Sequence, residues 1–201
     1  MLTIDKQGRV LNPRVTISIR PNIERGAMLQ VRGLIVHQTG GSTRESSLSS
    51  YLAPKSNGAH FLIDKDGTIL QTASLLKHTW HVGSLRARCL AEYRCTKTEL
   101  QTLARFNPKA ENRMEMKKAV PARYPANHDS IGIELVGAVV TSNGTAPAEK
   151  GVYEQVTAEQ NKSLGWLVQE LKQTFRVPVS EVFRHPDVSR KNPTEAASAK
   201  W

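Results

Sequence analysis

Two histidines stand at the ends of short apolar runs: His37 after Gly33-Leu34-Ile35-Val36, and His185 after Glu181-Val182-Phe183-Arg184. Runs of that length read as buried strands. Rigid strand ends are where imidazoles can be brought to within ~2.1 Å of one ion, so the pair is a candidate for a mononuclear zinc site. Most of the chain separates them, so spacing alone does not bring them together. A histidine in such a place serves equally well as a hydrogen-bonded structural residue. A carboxylate, Glu134, interrupts a third apolar run, Ile131-Gly132-Ile133-Glu134-Leu135-Val136. An unpaired charge is costly to bury, so Glu134 is either ion-paired or functional.

The elements that must carry these residues can be read from periodicity. Arg14–Ile19 alternates β-branched residues and reads as a first strand, followed by a loop with Pro21 and Gly26. Gly33–His37 reads as a buried central strand. Ser46–Leu52 reads as a short helix stopped before Pro54. Ala59–Ile63 and Thr68–Gln71, joined through Asp64-Lys65-Asp66-Gly67, read as a hairpin with an Asp-Gly turn. From Ser84 to Ala126 the chain is basic and weakly periodic, with a helix expected at Lys97–Phe106 and prolines at 108, 121 and 125. Ile131–Val136 is a second buried strand, followed by a loop with Asn143, Gly144 and Pro147. Thr157 is a good N-cap for a long amphipathic helix carrying Leu164, Leu167, Val168, Leu171 and Phe175 and ending before Pro178. Glu181–His185 is the last strand. Strands interleaved with helices imply one α/β (α+β) domain spanning 1–201, with a central mixed β-sheet flanked by helices. Within it, residues 1–30 read as an N-terminal extension and 84–126 as a surface insertion.

Composition narrows the partners. The 201 residues carry 28 Lys and Arg against 18 Asp and Glu, a net charge of +10 that favours an anionic partner. Only 5% of residues are aromatic, and no arginine-rich run is interleaved with stacking rings, which argues against a nucleic-acid reader. No stretch approaches the ~18 to 20 continuous apolar residues of a membrane span. The polar start Met1–Gln7 lacks the pattern of a secretory signal, so action outside the cytoplasm is expected to need another route. Cys89 and Cys95 supply too few ligands for a structural zinc site; they are either free thiols or a disulfide formed after export.

Taken in order, six stretches resemble one family: Gly33–His37, Ala59–Ile63 with its Asp66-Gly67 turn, Trp80-His81-Val82-Gly83, Asn127–Gly137, Thr157–Gln160 and Arg184-His185-Pro186-Asp187-Val188. Together they are similar to the zinc amidases of the type 2 N-acetylmuramoyl-L-alanine amidase family, over roughly residues 30–201 without the insertion. The resemblance implies a peptidoglycan hydrolase that cuts the amide between N-acetylmuramic acid and L-alanine. It also implies a zinc ion held by His37, His185 and one further ligand, and hence inhibition by chelators. The family's usual third ligand falls here on Pro193, which has no ligand atom in its side chain. Glu195, ten residues after His185, is the replacement of choice, ahead of Asp187 and Asn192. Glu134 matches the family glutamate and takes the role of general base and then proton donor, with a buried ion pair as the plain alternative. Lys191 matches a lysine that stabilises the oxyanion, with a solvated surface lysine as the plain alternative. His81 and Asn127 are expected to contact substrate, and His60 to be structural. Ala59 stands where some relatives have a tyrosine, so Glu134 is expected to carry proton transfer largely alone. Alternatives of the same fold are a recognition module without activity and a cytoplasmic muropeptide-recycling amidase. The favoured setting is an exported lytic amidase acting in the periplasm or wall of a target bacterium after phage lysis or through a secretion apparatus. An antibacterial effector of that kind implies an immunity protein as partner.

Overall fold

The computed structural model of the chain describes residues 1–140 and 151–201. The expected loop at Asn143, Gly144 and Pro147 lies outside them. In chain order the elements are β1 (Val15–Ile17), β2 (Glu24–Ala27), β3 (Gly33–Gly40), α1 (Arg44–Ser50), β4 (Phe61–Ile63), β5 (Ile69–Gln71), β6 (Lys77–Thr79), α2 (Arg88–Ala91), α3 (Lys97–Leu103), α4 (Pro108–Glu115), β7 (Ser130–Val140), β8 (Val152–Tyr153), α5 (Ala158–Phe175), β9 (Val182–Arg184) and α6 (His185–Val188). Among the described residues the main sheet runs β1-β5-β4-β7-β3-β9, with β8 on β7. Strands β3, β4, β7 and β9 are mutually parallel where they pair, and the β4–β5 hairpin is antiparallel. This is the mixed α/β architecture expected from the pattern.

The long central strands are apolar on both faces because both faces are covered. Leu34, Val36, Ile131, Ile133 and Leu135 pack on one side against Leu164, Leu167, Val168 and Leu171 of α5. Side chains alternate along a strand, so Ile35, His37, Gly132, Glu134 and Val136 face the other way. There Ile35 packs with Val82, Leu85, Tyr124, Ala126 and Val188, and Val136 with Leu62 and Leu70. The helix side of the sheet is therefore a closed core, and the opposite side is left for chemistry.

Helix α5 begins where the capping signal stands. Thr157 Oγ1 accepts from Gln160 N at 3.0 Å, and Gln160 Oε1 accepts from Thr157 N at 3.1 Å. A reciprocal pair of this kind satisfies two otherwise orphaned N–H groups. The buried Gln160 amide then donates to Ile63 O and Val136 O, tying the start of the helix to β4 and β7.

Several boundaries differ from the periodicity reading. Helix α1 starts two residues earlier than Ser46, because Thr43 accepts from Ser46 N as N-cap. The helix expected at Lys97–Phe106 stops at Leu103, and Pro108 opens a further helix, α4, in which it occupies the first turn behind an Asn107 N-cap. Proline is suited to that position because its missing N–H has no partner there anyway. The last strand ends at Arg184, and His185 opens α6. Residues 1–30 place Leu2, Val10, Val15 and Met28 in the principal core, and β1 extends the sheet beside β5. In the 84–126 segment Cys89 and Cys95 form a disulfide. The same segment is anchored by Arg88, whose guanidinium makes two hydrogen bonds to Glu181 at 2.8 and 2.9 Å.

His60 is structural, as expected. Its Nδ1 accepts from Gly132 N at 3.1 Å, and its Nε2 lies 2.9 Å from Lys77 O, bracing β4 against β7 and β6. Burial holds its pKa down from the usual 6.5 to about 4. The unfolded chain therefore takes up a proton that the folded one refuses, and the stability His60 confers is complete above pH 6.5 and is lost as pH falls toward 4. At pH 5 the loss is about 2 kcal/mol at 1.36 kcal/mol per unit. Urea unfolding at pH 7 and pH 5 checks this. His60→Gln is expected to be less stable than the parent at pH 7 but to lose about 2 kcal/mol less on acidification. An equal acid loss in both proteins sinks the assignment.

Candidate active site

Three parallel neighbours, β7, β3 and β9, carry the chemistry to one end of the sheet. The register sets His37 of β3 directly beside Glu134 of β7, and places β9 on the other side of β3 so that His185 emerges next to them. The His37 and His185 rings lie 4.3 Å apart, centroid to centroid. Glu195 joins them: its Oε1 is 2.9 Å from His185 Nδ1 and 3.5 Å from His37 Nδ1. One ligand-type atom from each of the three lies within 4.8 Å of the others, and all three residues are buried.

The loop after α6 explains why Glu195 and neither of the other candidates arrives here. Asn192 Nδ2 donates to Gly151 O at 2.6 Å, and its Oδ1 accepts from Thr194 N and Thr194 Oγ1. Asp187 accepts from Arg184 N at the start of α6. With Glu195 N bonded to Asn192 O and Ala196 N to Gln38 Oε1, the chain turns back so that the Glu195 carboxylate faces the two imidazoles. Burial pushes the Glu195 carboxyl up, but hydrogen bonds and charge from His185 and His37 outweigh it and hold it at about 2. Burial, then the charge of His185, brings His37 down to about 4.

Glu134 has the opposite environment. No cation is paired with it, and its Oε2 is sealed from water without a hydrogen-bond partner among the described residues. Burial, reinforced by the negative charge of Glu195 and opposed by Lys191, raises its pKa to about 8. The ion-pair alternative raised by the sequence does not describe it. Lys191 is exposed on the rim of the same cleft, a cavity of about 1170 Å³ that also admits His37, His81, Glu134, His185 and Glu195.

Two residues expected at the substrate are engaged inside the protein. Asn127 Oδ1 accepts from the backbone N–H groups of His81 and Val82 at 2.9 and 2.8 Å. His81 meets His37 Nε2 at 2.9 Å with one ring nitrogen and Ser130 with the other. Tyr51 was not picked out by the sequence. It closes α1, lines the cleft and is buried, and its phenol is raised well above the usual value by burial and then by the charge of Glu134. Its only sequence signal is a tyrosine at the end of a short helix, which has no fixed spacing to any of the other site residues.

The sheet thus gathers two imidazoles and the carboxyl groups of Glu134 and Glu195 in one open cleft of an α/β domain. The chain belongs to the N-acetylmuramoyl-L-alanine amidase family, whose profile matches residues 27–196. Among curated proteins it has no match. Its fold is similar to that of a selenomethionine derivative of AmpD, at 19% identity and a TM-score of 0.52 over 100% of this chain and 96% of that one. It is also similar to the catalytic domain of XlyA, at 18% identity and a TM-score of 0.52 over 88% of this chain and 87% of that one. A third likeness is to AmpDH3 from Pseudomonas aeruginosa in complex with anhydromuramic pentapeptide, at 20% identity and a TM-score of 0.51, covering 94% of this chain and 58% of that one. Peptidoglycan amidase activity is what the family membership supports.

Proposed function

We propose that the chain is a zinc-dependent amidase that cuts the bond between the lactyl group of N-acetylmuramic acid and the L-alanine of the stem peptide. The observation that carries this reading is the convergence of His37, His185 and Glu195 beside Glu134, whose Oε2 has no hydrogen-bond partner among the described residues. Two imidazole nitrogens and one carboxylate oxygen are the donor set of a catalytic zinc site that keeps a position open, so the residues present fit the ion. When bound, zinc supplies a Lewis acid for the scissile carbonyl and makes water a competent nucleophile at neutral pH.

The chain's own residues do the rest. Glu134, with its pKa raised to about 8, exchanges a proton close to neutrality: in its ionised form it takes one from the attacking water, and as the resulting acid it passes that proton to the departing alanine nitrogen. Lys191 offers an ammonium at the rim, where negative charge develops on the carbonyl oxygen. The net charge of +10 favours retention on an anionic wall. The Cys89–Cys95 disulfide supports action outside a reducing cytoplasm, in keeping with an exported lytic role.

The test is zinc content measured beside digestion of purified peptidoglycan. The expected result is about one zinc per chain, release of stem peptides with a free alanine amino terminus, loss of that release on chelation, and its return with added zinc. Release that chelation leaves untouched sinks the metal reading. A protein that binds wall but holds no zinc and cuts nothing is a recognition module instead.

A further inference from the structure

We infer that the Trp80–Gly83 loop, clamped by Asn127, is the device that orients both metal-binding imidazoles, with His81 acting on His37 and Val82 acting on His185. This rests on the zinc reading above and assigns positioning roles to residues that the sequence pointed at substrate.

Ser130 Oγ lies 2.7 Å from Ala126 O, and a carbonyl only accepts, so the serine hydroxyl donates there. What Ser130 offers His81 Nε2 is then two acceptors, Oγ at 3.2 Å and the carbonyl oxygen at 3.4 Å. The hydrogen between them therefore belongs to His81 Nε2. The other ring nitrogen of His81, Nδ1, is turned to His37. The two rings share one hydrogen bond at His37 Nε2, 2.9 Å long, which occupies that nitrogen and leaves His37 Nδ1 as the atom that faces Glu195.

The next residue does the same for the second histidine. Val82 O lies 2.8 Å from His185 Nε2, so that nitrogen donates, and His185 Nδ1 is turned to the same Glu195 oxygen at 2.9 Å. Consecutive loop residues thus select the ring nitrogen that each histidine presents. Groups one layer out from a metal commonly fix ring orientation in this way.

Two features hold the loop in place. The Asn127 side-chain oxygen accepts from both N–H groups of the His81-Val82 pair. Gly132 of β7 lies directly against the His81 ring: a Cβ there would come within 2.7 Å of its Nδ1, so only glycine lets the ring sit at this depth. Both ring nitrogens of His81 are spent on these internal bonds.

Zinc affinity, measured by competition with a chromophoric chelator, separates positioning from substrate contact. It is combined with the visible spectrum of the cobalt(II)-substituted protein and with kcat and KM on wall fragments. His81→Phe and Asn127→Leu are expected to weaken zinc binding by about 10- to 100-fold, to alter the cobalt band, and to lower kcat more than they raise KM. Asn127→Asp keeps an oxygen that accepts from two N–H groups and is expected to retain most of the zinc affinity. Ser130→Ala, a smaller change at the far end of the relay, is expected to shift the cobalt band in the same sense even if the larger replacements fail to fold. Variants that bind zinc like the parent and show only a raised KM overturn the inference and return His81 and Asn127 to the substrate. A parent protein that takes up no zinc overturns the metal reading itself, and this inference with it.

Discussion

Glu195→Ala is expected to abolish both stoichiometric zinc and the release of stem peptides. The carboxylate sits 2.9 Å from His185 Nδ1 and 3.5 Å from His37 Nδ1, and it is the only acid within that reach among the described residues. Removing it leaves two imidazoles facing a void. The loss in affinity should exceed the ~10- to 100-fold that outlying groups cost. Glu195→Asp shortens the reach by one methylene and is expected to recover part of the metal, since a carboxylate oxygen is still supplied. Metal analysis after dialysis and a digestion assay on the same preparation read both effects. Full zinc and full activity in Glu195→Ala would place the third ligand elsewhere.

The second large effect is expected at Glu134. Glu134→Gln keeps the shape and removes the titrating proton. It should lower kcat by about 10²- to 10⁴-fold, the usual span for positioned acid–base catalysis, with zinc retained. Its buried Oε2 has no partner among the described residues, and burial is the largest cause of its raised pKa, so a neutral amide introduces no charge to desolvate. The metal-free variant is therefore expected to melt no lower than the parent. Unchanged turnover with zinc bound would remove Glu134 from the mechanism, and loss of zinc would recast it as a ligand. Together the two variants separate holding the ion from moving the proton.

The strands that carry the site could be read from sequence because they are buried on both faces, and Leu34-Ile35-Val36 and Ile131–Val136 have no other use for so apolar a run. The long helix was equally legible, since Thr157 and Gln160 write its start in side-chain chemistry. Helix α4 was not, because Pro108 reads as a breaker unless Asn107 is seen to cap it. The resemblance pointed to His37, His185 and Glu134, and spacing with ligand chemistry to Glu195, but a string of residues does not say which ring nitrogen faces which neighbour. Hence His81 and Asn127 read as substrate contacts; both line the cleft, and the His81 ring nitrogens and Asn127 Oδ1 also make bonds within the protein that no sequence interval encodes. Tyr51 was missed for a related reason. It reaches the cleft from the end of a helix, and no sequence interval encodes that approach.

The parallel order β7-β3-β9 has a consequence for how the site comes into being. Parallel neighbours cannot be consecutive hairpins, and here the bonded pairs span the chain: Val82 meets His185 across 103 residues, and His37 meets His81 across 44. No short peptide cut from this chain contains all the residues of the site. Such contacts form only after the intervening loops have been closed, which places them late in folding. A bound ion would then act as a lock on a finished structure rather than a nucleus for one, stabilising the native state by mass action while leaving the early steps of folding to the apolar strands and α5.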